Sequence, residues 1–480
     1  MMETPPPTGM LIGADRVLSA EMTPVVDKWS GALVGSVPRA SRDDVRHAVQ
    51  AAAAAFADRP LPPRQRHTLL QRVAQLVRAH EDMLCRLMIA ETGFAWRDVQ
   101  TEVARAVETL EWSAEEARRL SGEVIPIQGA PGFERAMAVA IRVPLGTVCA
   151  IAPFNSPLNT VCHKIAPALA AGNTVVLKPA GATPLTALRL ADLFLDAGLP
   201  PGHLNVVTGS GGDVGRWLCE EQAIRFYTFT GSTAVGREIQ SRIGLRRSCM
   251  ELGAISCTIV CEDADVDRAI PLVINAAFRK AGQVCTSVQR LFVQQAVYEE
   301  VRERLVAATV RLKVGNPWEP ETAVGPMISV DEAQRAADWV ADTVARGATI
   351  AVGGKRMGAL LWPTILVEVP DEARVACNEI FAPVLAVAPY AELDEVVARV
   401  NALPYGLQAG IFTRDIHRAW HAARHLEVGG VIVNNTSSTR ADLMPYGGTK
   451  LSGFGREGPR YAVEEMTDLR TIVFFDALPE

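Results

Sequence analysis

Cys285 lies in the run Gly282-Gln-Val-Cys-Thr-Ser, between a helical pattern and the apolar stretch Arg290-Leu-Phe-Val. A thiolate in such a loop is open to substrate and is an effective nucleophile toward a carbonyl carbon. Glu251 ends an apolar element in Met250-Glu-Leu-Gly, which places a carboxylate beside a glycine. Asn155, held in Pro153-Phe-Asn-Ser-Pro, offers a side-chain amide that can donate to a developing oxyanion. Each alone has a plainer reading: a buried structural thiol, a surface glutamate, an asparagine turn cap.

Two further runs suit a phosphate-bearing ligand. In Phe229-Thr-Gly-Ser-Thr-Ala-Val-Gly, Gly231 and Gly236 flank Ser232 after a strand and at the opening of a helix. Backbone N–H groups and a helix N-terminus there favour an anion. The Gly-x4-Gly spacing matches neither a dinucleotide fingerprint nor a Walker loop, so in isolation this is also a simple turn. Lys178 closes the apolar run ending Leu177-Lys-Pro-Ala, within reach of ribose hydroxyls or a phosphate, or else solvated at a strand end.

The elements that must position these residues show in the hydrophobic period. Residues 42–120 read as helices. Residues 122–142 are broken by Pro and Gly and end in alternation, which predicts a protruding strand or hairpin. Strands at 148–152, 174–178, 204–207 and 224–230 then alternate with helices at 158–171, 184–197 and 234–243. A second alternating stretch has strands at 257–260, 290–293 and 385–388 and helices at 266–279, 298–310 and 330–345. Such alternation predicts α/β architecture with doubly wound parallel sheets, which bind ligands beyond the carboxyl ends of their strands. The tail at 469–475 is a strand expected to pair with the hairpin around Met137 across subunits.

Composition removes several alternatives. With 480 residues, two or three domains are expected, and a net charge of −6 gives no electrostatic case for nucleic acid. No apolar stretch reaches membrane-spanning length, and Pro5, Pro6 and Pro7 do not open a signal peptide, so a cytoplasmic protein is expected. The nine cysteines are scattered; Cys257 and Cys261 lack a second pair or a His cluster to complete a zinc site, and no metal is expected.

In chain order come PFNSPLN, LKPA, FTGSTAVG, ELG, GQVCTS, NEIFAPV and PYGGTKLSGFGREG. This ordered set resembles the aldehyde dehydrogenase superfamily from about Arg42 to the C-terminus. The resemblance implies a Rossmann-like cofactor domain (1–121 and 143–252), an α/β catalytic domain (253–446) and a small β oligomerisation element (122–142 and 464–480). It implies that Cys285 forms a thiohemiacetal, that Asn155 and the Cys285 N–H hold the oxyanion, and that Glu251 activates water to hydrolyse a thioester. For the cofactor it implies Lys178 at the ribose, Ser232 with Gly231 and Gly236 at the pyrophosphate, and Glu379 and Phe381 at the nicotinamide side. Phe154, Gly211 and Leu252 complete the implied contacts. Three residues after Lys178, NAD-preferring relatives often carry a Glu; here it is Gly181, which removes repulsion against a 2′-phosphate. No arginine stands nearby in sequence to attract that phosphate, so use of both NAD and NADP is expected.

The loop Asn435-Thr-Ser-Ser-Thr-Arg-Ala-Asp-Leu-Met-Pro-Tyr-Gly-Gly resembles that of lactaldehyde, phosphonoacetaldehyde and non-phosphorylating glyceraldehyde-3-phosphate dehydrogenases. Arg440 in that loop, Arg105 on the long helix and Thr286 are implied at the substrate. Two guanidinium groups there would favour a small anionic aldehyde. The competing reading makes Arg105 a structural ion pair and Arg440 solvated. The alternative substrate is a carboxylate-bearing semialdehyde such as succinic semialdehyde. A non-catalytic binding protein on the same fold is disfavoured by the presence of Cys285, Glu251 and Asn155. A homodimer or homotetramer is expected.

Overall fold

The computed structural model describes residues 8–58 and 60–476; Pro5–Pro7 and residues 477–480 of the expected oligomerisation element lie outside them. Both α/β units have the expected parallel sheets. In the first, Leu204–Val206, Thr174–Lys178, Thr147–Ile151, Ile224–Thr230 and Arg247–Glu251 lie side by side and parallel. The order reverses between Thr147–Ile151 and Ile224–Thr230. That switch point opens a crevice at the carboxyl edge. Ile151, Lys178, Thr230 and Glu251 are the last residues of their strands, so the PFNSPLN, LKPA, FTGSTAVG and ELG motifs all start at this edge. These strands are buried almost throughout, as helices on both faces require.

The second sheet runs Thr349–Val352, Thr364–Val367, Val384–Tyr390, Arg290–Gln294, Cys257–Val260, Gln408–Phe412 and Gly430–Val433, parallel except for the first strand. Cys285 lies in the loop entering its Arg290–Gln294 strand. The two sheets therefore bring nucleophile and cofactor motifs together from opposite sides.

The expected helical stretch is four helices, Arg42–Asp58, Pro63–Ala79, Glu81–Thr92 and Trp96–Arg119. The last packs along Pro63–Ala79 and Asn159–Ala171. Glu102 on it accepts from the N–H groups of Leu158 (2.9 Å) and Asn159 (3.2 Å), satisfying orphan donors at the start of the Asn159–Ala171 helix. This caps the helix just after the Asn155 turn and fixes that turn in place.

One expectation is overturned. The tail strand Thr467–Phe474 pairs antiparallel with Met137–Pro144 of its own chain over eight residues, from Thr467↔Pro144 to Phe474↔Met137, rather than across subunits. The cause is the element before it. The helix Pro459–Glu465 packs against Asn159–Ala171, and Arg142 Nη1 reaches the Glu464 carbonyl (3.3 Å) and Thr467 Oγ1 (3.1 Å). The tail therefore emerges beside Met137–Pro144 with no slack. Upstream of that helix, Gly453–Phe454 returns to the first sheet beside Arg247–Glu251, with Gly453 opposite Glu251. Among the described residues no helix is long and apolar enough to cross a membrane.

Candidate active site

Cys285 follows three consecutive left-handed residues, Lys280 (φ 53°), Ala281 (φ 52°) and Gly282 (φ 69°). A non-glycine residue held there costs about 1–3 kcal/mol and persists only when its surroundings fix it. They do: Lys280 Nζ donates to Glu102 Oε2 (2.6 Å) and to the Asn155 carbonyl (2.8 Å). At Gly282 a Cβ would fall 2.1 Å from the Ala382 carbonyl oxygen, so this position admits only glycine. Asn155 Nδ2 in turn donates to the Gln283 carbonyl (2.8 Å), which ties the amide to the Cys285 loop and leaves its second N–H for another acceptor. Of the nine thiols seven are buried; only Cys285 and Cys377 are partly open, and Cys285 alone of these two lines the main cavity.

That cavity is about 740 Å³ and is lined by Cys285, Asn155, Glu251, Phe154, Leu252, Gly231, Ser232, Glu379, Phe381, Thr286, Arg105 and Arg440. Twelve residues named from sequence thus face one space. A smaller cavity of about 220 Å³ is walled by Lys178, Gly211, Gly231 and Ser232. Gly231 and Ser232 are common to both, so a ligand can pass from one to the other over the N-terminus of the Thr233–Ile243 helix. Gly181 and Gly236 line neither. A Cβ on Gly236 would lie 2.3 Å from Leu252 Cδ2, so this glycine lets the helix close on the Glu251 strand end; one on Gly181 would meet only the Gly209 carbonyl, at 3.8 Å.

The residues present fit a dinucleotide. Ser232 caps the Thr233–Ile243 helix by accepting from the Val235 N–H and lines both cavities, so the helix N-terminus stands at their junction. Burial pulls the Lys178 ammonium down to about 8, and among the described residues its Nζ donates only to the Pro179 carbonyl (3.1 Å), leaving donors for hydroxyls. Burial pushes Glu379 up to about 7; it accepts from the Ala254 N–H (3.2 Å). Phe154 and Phe381 meet edge to face at 6.0 Å between ring centres. No arginine near Lys178 in sequence is available to a 2′-phosphate, but the fold supplies two: Arg216 and Arg242 line the smaller cavity. Both come from helices remote in sequence from Lys178, and their partners Asp213 (3.6 Å) and Glu238 (3.0 Å) form only exposed pairs.

Behind Glu251 is a buried charge network that the sequence did not reveal. Burial and then the neighbouring Glu457 push the Glu251 carboxyl well above its usual range, and its Oε1 has no hydrogen-bond partner among the described residues. Glu457 is held ionised instead: burial opposes its charge, but Lys164 (3.0 Å) and Arg440 (3.1 Å) outweigh it. Two carboxyls side by side cannot both ionise cheaply, and the cations favour Glu457.

On the substrate side the two arginines divide. Arg105 forks onto Asp442 through Nε (2.9 Å) and Nη2 (2.8 Å), and Asp442 also accepts from Asn159 Nδ2 (3.0 Å). Its charge is already matched, which is the structural reading of that residue. Arg440 is not solvated: it lies within the fold between Glu457, His163 Nε2 (3.2 Å) and the ring of Tyr446, 3.8 Å away. The arginine that sequence reasoning missed is Arg279, which lines the same cavity, forms no ion pair among the described residues and donates to Ser438 Oγ (2.8 Å). Ser438 lies 3.5 Å from Thr286 Oγ1. A cation pair, Arg279-Lys280, immediately before the nucleophile loop was the available signal.

Residues 17–472 match the aldehyde dehydrogenase family. The chain is 47% identical over 465 residues to a 3-sulfolactaldehyde dehydrogenase of Priestia megaterium, covering 97% of each. It is 37% identical to the NADP+ succinate-semialdehyde dehydrogenase of Escherichia coli, covering 94% of each. A crystal structure of the NADP-dependent glyceraldehyde-3-phosphate dehydrogenase from Bacillus halodurans complexed with NADP superimposes with a TM-score of 0.95 at 35% identity, covering 98% of this chain and 99% of that one.

Proposed function

The chain belongs to the aldehyde dehydrogenase family, and from that premise we propose that it oxidises a small sulfonate-, phosphonate- or phosphate-bearing aldehyde to the free acid. It is an NAD(P)-dependent oxidoreductase. The observation that carries the substrate class is Arg279: a guanidinium facing the Cys285 cavity with, among the described residues, only the Ser438 hydroxyl as hydrogen-bond partner. Arg279, Ser438 and Thr286 together offer donors to an anion of three oxygens. The relative named for 3-sulfolactaldehyde supports the same class.

In this reading Cys285 attacks the carbonyl carbon, and the free Asn155 N–H with the Cys285 backbone N–H receives the oxyanion. Glu379 and Phe381 would hold the nicotinamide end of the cofactor and Ser232 its pyrophosphate, and the group, when bound, would supply the hydride acceptor. Glu251 takes a proton from the water that cleaves the thioester, releasing the acid and the Cys285 sulfur. The first sheet with its helices is the cofactor-binding unit, and the second carries the nucleophile.

Steady-state kinetics on sulfonated, phosphorylated, carboxylated and neutral aldehydes test the substrate class. Arg279→Met is expected to raise KM for the sulfonated and phosphorylated aldehydes about 10- to 100-fold, the worth of a charge-assisted hydrogen bond. Neutral aldehydes should be little affected. Arg105→Ala should leave KM near wild type and lower Tm, because it strips a partner from the buried Asp442. An unchanged KM in Arg279→Met would overturn the reading. The second reading, a carboxylate-bearing semialdehyde, is favoured by the succinate-semialdehyde relative and would show as the lowest KM in the carboxylated arm.

For the cofactor we propose that NADP and NAD are both used, with Arg216 and Arg242 free to turn from their exposed partners to a 2′-phosphate. Gly181→Glu is sterically allowed and restores a carboxylate at the ribose. Titration of cofactor fluorescence should show NADP affinity falling by about ten-fold or more while NAD is unchanged or tighter. Equal losses for both cofactors would count against this placement of the ribose.

A further inference from the structure

Tyr446 stands between the nucleophile and the buried arginine. Its hydroxyl is 3.0 Å from Cys285 Sγ and has no other hydrogen-bond partner among the described residues. Its ring is buried, and the Arg440 guanidinium lies 3.8 Å from the ring centre. Its backbone is clamped in both directions, its N–H donating to the Glu457 carbonyl (3.1 Å) and its carbonyl accepting from the Glu457 N–H (2.7 Å). Arg440 is fixed in turn by Glu457. The hydroxyl is therefore not a passing contact; ring, stack and backbone leave it one place to point.

We propose that the Tyr446 hydroxyl, held under Arg440, is the hydrogen-bond donor that keeps Cys285 available as a thiolate in the closed cavity. This rests on the reading of Cys285 as the nucleophile. The environment otherwise works against ionisation. Burial pushes the thiol up, and Glu251 and Glu379 face it with carboxyl groups, while Arg440 and Arg279 are the cations that face it. Tyr446 opposes the first effects directly. Burial, with Cys285 and Glu251 beside it, holds the phenol proton firmly, so once the thiol proton has left to water the phenol remains the donor and the sulfur becomes the acceptor. The cation over the ring face draws electron density from the phenol and makes it a better donor. When the sulfur bonds to the carbonyl carbon its charge passes to the aldehyde oxygen, and the hydroxyl has finished its part.

Carbamidomethylation of Cys285 by iodoacetamide, followed by peptide mass across about pH 6 to 10, counts thiolate without requiring turnover. Tyr446→Phe keeps the ring and the Arg440 stack and removes only the hydroxyl. Its alkylation curve is expected to move to higher pH, with the rate near neutrality falling about ten-fold. The high-pH plateau should stay level or rise slightly, since a more basic thiolate is more nucleophilic. Uniform 3-fluorotyrosine in the otherwise wild-type enzyme, a stronger donor, should move the curve the other way. An unmoved midpoint in either arm, or a curve lowered equally at every pH, overturns the proposal. Failure of the nucleophile reading is distinguishable, because it would appear as turnover surviving the loss of Cys285 whatever the alkylation curves do.

Discussion

Cys285→Ala is expected to reduce dehydrogenase turnover by at least about 10⁴-fold, the scale on which removal of a nucleophile acts. Cofactor binding should survive it. The smaller cavity and the Ser232 helix N-terminus lie on the first sheet and contain no atom of the nucleophile loop. Saturating NADP should therefore still raise Tm, by a stabilisation of about 2.7 kcal/mol when it is present at 100 times Kd. The variant should also be well folded, because Cys285 is partly open and the loop is held by Lys280, Gly282 and Asn155 rather than by sulfur packing. The measurements are NADPH or NADH production and thermal unfolding with and without cofactor. Turnover above a few per cent of wild type would move the nucleophile elsewhere, and the only other partly open thiol, Cys377, stands outside the main cavity. Loss of both turnover and cofactor stabilisation would instead say that the loop shapes the cofactor site.

Secondary structure is legible in the sequence where one local period decides the outcome. The helices Tyr298–Val310 and Val330–Ala345 and the strands Ile224–Thr230 and Cys257–Val260 have the expected bounds, because amphipathic or apolar periodicity ends sharply at each. The short strands Met10–Ile12, Asp15–Val17, Met22–Val26 and Leu33–Pro38 are not legible there, being too brief and too mixed in burial to set up a pattern. Cys285, Glu251 and Asn155 stand out as candidates because two of them lie in loops beside glycine or proline and the third closes an apolar strand; the roles assigned to them rest on the ordered motifs, and the fold brings all three to one cavity. What was not legible are the partners that decide charge. Asp442 meets Arg105 across 337 residues, and Lys164 meets Glu457 across 293. No spacing rule links positions so far apart; only the return of Gly453–Phe454 to the Glu251 strand brings Glu457 into the site. Arg105 was accordingly given a substrate role that its pairing with Asp442 already occupies, and Arg279 was passed over.

Glu251→Gln should separate the two halves of the reaction. The amide is isosteric, so attack by Cys285 and the oxidation step keep their geometry, and the first turnover should release close to one equivalent of reduced cofactor per site. Hydrolysis loses its base, and steady-state kcat should fall by about 10²- to 10⁴-fold. The burst followed by a near-flat line is the signature, read by stopped-flow absorbance of the nicotinamide. The pH dependence follows from the carboxyl's surroundings. Burial, with Glu457 ionised beside it, holds the Glu251 carboxyl protonated above the usual carboxylate range. A protonated carboxyl cannot accept a proton, so wild-type kcat should climb as pH rises through that raised pKa, and Glu251→Gln should lose the climb. Glu457 supplies the internal check. Glu457→Gln removes the neighbouring negative charge while Lys164 and Arg440 remain, so Glu251 becomes the carboxylate those cations favour, and the rising limb of kcat should move to lower pH. A Glu251→Gln enzyme that loses its burst together with its steady state would assign the carboxyl to activation of Cys285 instead. One that keeps kcat would remove it from the chemistry altogether.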